Sequence, residues 1–184
     1  MTAEAELAPP PTVDPAAPMI ARTERIVIER RPEAAFAYVL LGPLEAMIPQ
    51  TRRLPGVTGV TPLTPGPWGP AGARRHVHLS DGSQTTEQVL ESVPGERFCY
   101  EVWNYSTAAA KPVAYALGEF RFVGVEGGRV EIVWTYAFRL RSDVFPGNLG
   151  GFGRWLLRRA FLDSAYAELM RATLAAIKAA LERA

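Results

Sequence analysis

The chain has 184 residues, 48% hydrophobic and 21% charged, the balance of one globular domain with a core of its own. Its 20 Lys and Arg stand against 19 Asp and Glu, so no overall charge calls for a nucleic acid or an anionic membrane as partner. Cys99 is the only cysteine, which excludes an intrachain disulfide and a multi-cysteine metal site, and no apolar run approaches the roughly 18 residues of a membrane span.

Residues 1–20 are dominated by Ala, Pro and acid, with Pro9, Pro10, Pro11, Pro15 and Pro18. Such a segment buries too little surface to offset ordering entropy, so a disordered tail is expected ahead of a domain over 21–184. The N-terminus has neither the basic start nor the apolar stretch of a secretory signal, and the expected location is cytoplasmic. Residues 22–30 read as a first strand. Pro32 then suits a first helical turn, Gly42-Pro43 stops that helix, and a second short helix over 44–48 ends at Pro49.

Strands follow. Residues 57–64 form the next, and a loop over 65–72 holds Trp68 among prolines and glycines. Residues 73–80 and 83–92 flank Asp81-Gly82, a strong hairpin signal. Pro94-Gly95 turns the chain into 97–106, and Glu126-Gly127-Gly128 joins 113–125 to 129–141. The last strand alternates: Val130, Ile132, Trp134, Tyr136, Phe138 and Leu140 share one face, the mark of an antiparallel sheet packed on one side. A three-residue bulged turn at 126–128 sets Phe122 opposite Ile132 and Phe120 opposite Trp134. A two-residue turn would bury Arg121 against Trp134, and aromatic pairing is the cheaper burial.

From about 148 to 183 the pattern predicts one long helix. Leu149, Phe152, Leu156, Ala160, Asp163, Ala167, Met170, Leu174, Ile177 and Leu181 recur at three- and four-residue steps in a single stripe. A coiled coil would give the same stripe, but the preceding sheet has an open apolar face that needs a cover. The fold class is therefore α+β.

Four stretches carry a family resemblance: Arg31-Pro32-Glu33-Ala34-Ala35-Phe36; Gly72-Ala73-Arg74-Arg75 with Leu79-Ser80-Asp81-Gly82; Glu87-Gln88-Val89 leading to Pro94-Gly95-Glu96-Arg97; and Val133-Trp134-Thr135-Tyr136-Ala137-Phe138-Arg139. In their order and spacing the chain resembles the START-like (SRPBCC) superfamily, and within it the bacterial polyketide cyclase/dehydrase and lipid-transport group. The resemblance implies a helix-grip: a seven-stranded curved antiparallel sheet wrapped around the long C-terminal helix, enclosing an apolar cavity. It transfers a fold and a ligand class and no universal catalytic residue.

A two-residue Asp81-Gly82 loop would set His76 opposite Glu87 and His78 opposite Thr85. A carboxylate holding an imidazole makes a general base, so His76 and Glu87 are the catalytic candidates. The opposite face, with Val77, Leu79, Thr86 and Leu90, is the more apolar one, and on that count His76, His78 and Glu87 lie outside in water. No metal site is expected, since two His and one Glu lack further ligands nearby. On the next strand Phe98, Tyr100, Val102 and Asn104 are placed inward, which leaves Glu101 in water. The candidate ligand contacts are Tyr100, Val102, Asn104, Tyr115, Phe120, Phe122, Trp134, Tyr136, Phe152, Leu156, Asp163 and Met170: a greasy wall with a few polar points. Asp163, which breaks the stripe, is read as touching ligand, pairing with a basic group or sitting at a solvent edge. The glycines at 147, 150, 151 and 153 are read as a lid at the cavity mouth.

The leading expectation is a protein that holds a small hydrophobic molecule (a lipid, polyketide or aromatic metabolite) in an internal cavity, without cofactor or nucleic acid. A polyketide aromatase/cyclase or dehydratase using cavity His, Glu or Tyr is the second, and a protein-interaction module on the outer sheet face the third.

Overall fold

The computed structural model describes residues 9–183. Residues 1–8 of the predicted tail lie outside them. Strand β1 (Ile20–Ile28) is followed by helix α1 (Pro32–Leu41) and the single turn α2 (Leu44–Met47). Then come β2 (Val57–Pro62), β3 (Arg74–Leu79), β4 (Gln84–Val93), β5 (Arg97–Trp103), β6 (Val113–Val125) and β7 (Arg129–Leu140). One seven-stranded sheet results, in the order β1-β7-β6-β5-β4-β3-β2, with every neighbouring pair antiparallel. The closing turns after α1 and before β2 are made by glycine: a Cβ on Gly42 would sit 2.5 Å from the Tyr38 carbonyl oxygen, and one on Gly56 2.4 Å from the Gln50 nitrogen.

The β6–β7 turn is bulged as expected. Val125 pairs with Arg129, which sets Phe122 against Ile132 and Phe120 against Trp134. The β3–β4 turn departs from expectation. Leu79 N donates to the Ser83 carbonyl and Gly82 N to that of Leu79, so the loop has three residues and Gly82 takes φ +82°. Asp81 Oδ1 accepts from Ser83 N at 3.0 Å and from Ser83 Oγ at 2.6 Å, fixing this turn. The register therefore slips by one: Arg75 pairs with Glu87, His76 with Thr86 and His78 with Gln84. A one-residue slip exchanges the faces of the two strands relative to each other. Here it matches a buried cation to a buried anion.

The sheet's inner face is closed by the C-terminal segment, which is not one continuous α-helix. Helix α3 (Gly150–Leu157) runs into a π-helical stretch (Arg158–Tyr166) and then α4 (Ala167–Arg183). Ser164 Oγ donates to the Ala160 carbonyl at 2.7 Å within the widened turn. From Ala167 onward the predicted stripe holds, with Ala167, Met170, Leu174, Ile177 and Leu181 buried. Before it, the wider i→i+5 turns shift the phase. Leu157 and Phe161 pack on the core instead of Leu156 and Ala160. Burying a Leu, Ile or Met side chain contributes about 1.5–3 kcal/mol, and Ile28, Ile132, Leu162, Met170, Leu174 and Ile177 are all fully enclosed. Asp163 stands at the edge, where its Oδ1 accepts from Arg22 Nη1 of β1 at 3.0 Å. Glu24 in turn binds Arg22 and Arg171, tying β1 to the helix.

Glu101 is not in water. It lies on the outer face, 2% exposed, with one carboxylate oxygen unpartnered, and burial pushes its pKa up while nearby Arg74 partly opposes this. An unfolded glutamate ionises near 4.5. The folded carboxyl holds its proton longer, so its contribution to stability is full below that pH and is lost as pH rises through the folded value. Glu101→Gln should accordingly raise Tm at pH 7 by about 2–4 °C, the shift expected for roughly 1 kcal/mol in a chain of this size. The gain should vanish at pH 4, as calorimetry at the two pH values would show.

Candidate functional site

The inner wall is a ladder of rings contributed by alternate residues of β5, β6 and β7. Phe98 stacks on Tyr100 at 5.3 Å, Tyr100 lies 6.3 Å from Phe120, and Phe120 stacks on Trp134 at 4.9 Å with planes 9° apart. Gly118 makes this possible. It pairs with both Tyr100 and Tyr136, and a Cβ there would lie 2.2 Å from the Tyr100 ring. The ladder therefore has a slot that Tyr100 fills.

At the β3–β4 end the wall carries charge. Arg75 Nη2 is 2.8 Å and its Nε 2.9 Å from Glu87 Oε2, with the two side chains 13% and 10% exposed. The loop after β2 brings Trp68 over this pair: the Arg75 guanidinium carbon lies 3.9 Å from the Trp68 ring centre, and Trp68 meets Phe98 edge-on. Arg75, Glu87, Tyr100, Trp134 and Thr173 line one void of about 30 Å³ beneath α1 and α2. Trp134 Nε1 and Thr173 Oγ1, on residues lining this void, are buried without a well-formed hydrogen bond, the indole lying near the Tyr100 hydroxyl, and Trp68 Nε1 in the adjacent loop is likewise unpaired. That volume has room for a water or two and is far below the few hundred Å³ a metabolite fills. The void at this corner is thus much smaller than the sizeable cavity that was expected. A larger open cleft, about 530 Å³, lies on the surface between the β5–β6 loop and the end of β7, beside Tyr105, Lys111 and Arg141.

Of the candidate contacts, Tyr100, Val102, Phe120, Phe122, Trp134, Tyr136 and Met170 all belong to the buried core cluster. Others lie elsewhere. His76 is on the outer face with its Nδ1 3.2 Å from Thr86 Oγ1, and His78 Nε2 is 2.8 Å from Thr61 Oγ1. Glu87 is inside, so the expected His76–Glu87 contact does not form; the three-residue turn separates them. Tyr115 pairs with Arg139 on the outer face, because it is an odd position on a strand whose even positions, Phe120 and Phe122, face inward in the same unbroken register. Asn104 is exposed past the end of β5, in a left-handed conformation with φ +56°. Phe152 is 62% exposed and Leu156 lies outside the core cluster, both turned away by the π-helical phase shift. Asp163 serves the ion pair with Arg22 rather than the void. Gly147 and Gly153 act by close packing: added Cβ atoms would lie 1.9 Å from the Arg141 and 1.7 Å from the Pro146 carbonyl oxygens. Sequence reasoning passed over Arg75, Thr173, Tyr105 and Tyr166. Arg75 was legible only through the register that places it opposite Glu87.

Among the described residues no cluster of three or more His, Cys, Asp or Glu could hold a metal, and no helix is long and apolar enough to cross a membrane.

Residues 19–182 match the family model described as polyketide cyclase/dehydrase and lipid transport. The chain belongs to this family. Solved structures share the fold at low identity. The aromatase/cyclase ZhuI of Streptomyces sp. R1128 superposes with TM-score 0.63 at 15% identity, over 90% of this chain and 94% of that one. The two-domain ARO/CYC protein StfQ of the steffimycin biosynthetic pathway gives 0.66 at 16%, over 90% of this chain and 51% of its own length. Ara h 8.0201 gives 0.61 at 11%, over 91% and 100%. Among curated proteins no sequence match is found.

Burial raises the pKa of Tyr100, Tyr105, Tyr136 and Tyr166 above the ordinary phenol value of 10, with nearby Glu87 adding to the shift at Tyr100 and neighbouring tyrosines at Tyr136 and Tyr166. These phenols stay neutral at physiological pH and can donate a hydrogen bond into the interior. Unfolded, each would ionise near pH 10, so their contribution to stability is full below that pH and is lost as pH rises above it. Far-ultraviolet circular dichroism and phenolate absorbance should therefore change together above pH 10.

Proposed function

We propose that this protein binds a small, mainly apolar molecule bearing one or two oxygen atoms, held between the sheet and the C-terminal helix. Its oxygens would lie at the corner formed by Arg75, Trp134 and Thr173. The observation that carries this reading is the pair of buried polar groups that make no well-formed hydrogen bond, Thr173 Oγ1 and Trp134 Nε1, the indole lying near the Tyr100 hydroxyl, on residues that line the same void as Arg75 and Glu87. Native interiors leave few such groups unsatisfied, because each costs about 1–3 kcal/mol. A ligand oxygen accepting from the indole and bonded to the hydroxyl would satisfy both. The ring ladder supplies stacking surface for a planar aromatic molecule, and family membership supports this ligand class. Entry requires displacement of side chains, and Trp68, on a loop with glycines at positive φ on both sides (Gly66 and Gly69), is the cover nearest the corner.

A second reading, a cyclase or dehydratase, draws on the neutral tyrosines beside Glu87. A phenol donating to a substrate carbonyl would favour enolisation, and Glu87 is the one candidate catalytic carboxylate on the inner face. His76, on the outer face, has no part in it.

Trp134→Phe and Thr173→Val each remove an unpartnered polar atom while keeping the shape. Quenching of tryptophan emission by hydroxylated naphthalenes, anthraquinones and long-chain fatty acids should give affinities about tenfold weaker in either variant, the loss of one hydrogen bond, with Tm unchanged or higher. Wild-type affinity in both variants, or no binding by any compound of the panel, would refute the proposed site.

A further inference from the structure

The near-neutral total charge conceals a local imbalance. Residues 141–159 contain Arg141, Arg154, Arg158 and Arg159 against the single acid Asp143. Asp143 binds Arg141 and Asp163 approaches Arg158, but no ion pair engages Arg154 or Arg159 among the described residues. The same stretch holds four of the exposed large apolar side chains: Phe145 at 60%, Leu149 at 44%, Phe152 at 62% and Trp155 at 56%. They lie along one short stretch of chain, with Phe152 and Trp155 in contact. Gly153 packs on the Pro146 carbonyl and Gly147 on that of Arg141, which folds the turn carrying Phe145 and Leu149 onto the start of α3. Phe152 and Trp155, one turn apart, stack at 5.6 Å, and Arg158 and Arg159, both exposed, follow Trp155 in the chain.

Exposed rings of this size, rimmed by cations, are unusual on a surface that meets only water. We propose that this end of the molecule docks on an anionic phospholipid bilayer, with Phe152 and Trp155 entering the interfacial layer and the arginines meeting lipid phosphates. Charge selects this occupant. A second copy seated on the same patch would bring the arginines of both chains together, whereas an anionic surface satisfies them. The inference goes beyond ligand binding and stands whether or not the interior takes a ligand.

Flotation of the full chain with vesicles tests it. The protein should float with phosphatidylcholine mixed with an equal part of phosphatidylglycerol, and should not float with phosphatidylcholine alone or at high salt. Tryptophan emission should shift to the blue on binding, and the shift should be lost in Trp155→Phe, since of the four tryptophans Trp103 and Trp134 are buried and Trp68 is packed on Arg75 and Phe98. Replacing Arg154 and Arg159 by Gln should weaken partition about fivefold per residue, and Phe152→Ser with Trp155→Ser should abolish it. All four are surface positions, and circular dichroism should show every variant folded. Failure to float, equal flotation on neutral vesicles, or conversion of a dimer to a monomer by the serine substitutions would overturn the proposal.

Discussion

The pairing of Arg75 with Glu87 is the constraint around which the site is organised. Two charges in a mostly apolar interior are tolerable only when their geometry is good and their remaining groups are engaged. The strands meet this by a three-residue turn that places them opposite each other at 2.8 Å. Trp68 covers the guanidinium from the loop side, and Arg75 and Glu87 both line the void. Register, loop position and polarity of the corner thus follow from one contact. The turn alone, with Asp81 and Gly82 compatible with either loop length, does not decide it.

Against this corner stands an interior that is otherwise rings and aliphatic groups. Stacking along Phe98, Tyr100, Phe120 and Trp134 leaves little free space, because Gly118 lets Tyr100 lie across the gap between strands. Closely packed walls open by discrete rearrangement rather than by gradual swelling. Two elements are suited to such movement: the Trp68 loop, and the π-helical stretch, whose i→i+5 bonding departs from the α-helix on either side. The second joins the exposed aromatic patch of α3 to the wall-forming α4, so events at the patch and in the interior share one backbone segment.

Much of the architecture was legible in the sequence. Strict alternation in β7 identified the packed face, and the choice between burying Arg121 and burying Phe120 against Trp134 selected the bulged turn correctly. The same reasoning, comparing which charges a register buries, would have chosen the three-residue turn at 80–82, since it pairs Arg75 with Glu87. The hairpin motif was given precedence there, and the His76–Glu87 contact followed from it in error. The helical stripe was legible through α4 but not before it, because periodicity assumes a constant turn and the π-helical stretch changes it. Phe152 and Leu156 were misplaced for that reason. Asn104 failed where a strand ends and alternation no longer reports direction, whereas Tyr115, five residues before inward-facing Phe120, was legible as an outer position from alternation alone.

A double-mutant cycle at Arg75 and Glu87 tests the central claim most directly. Arg75→Met and Glu87→Leu should each destabilise by about 3–5 kcal/mol, because each leaves one buried charge unpaired. The double variant should regain most of that stability while losing affinity for an oxygen-bearing aromatic ligand. Additive losses in the double variant, or ligand affinity equal to that of the wild type, would contradict the account.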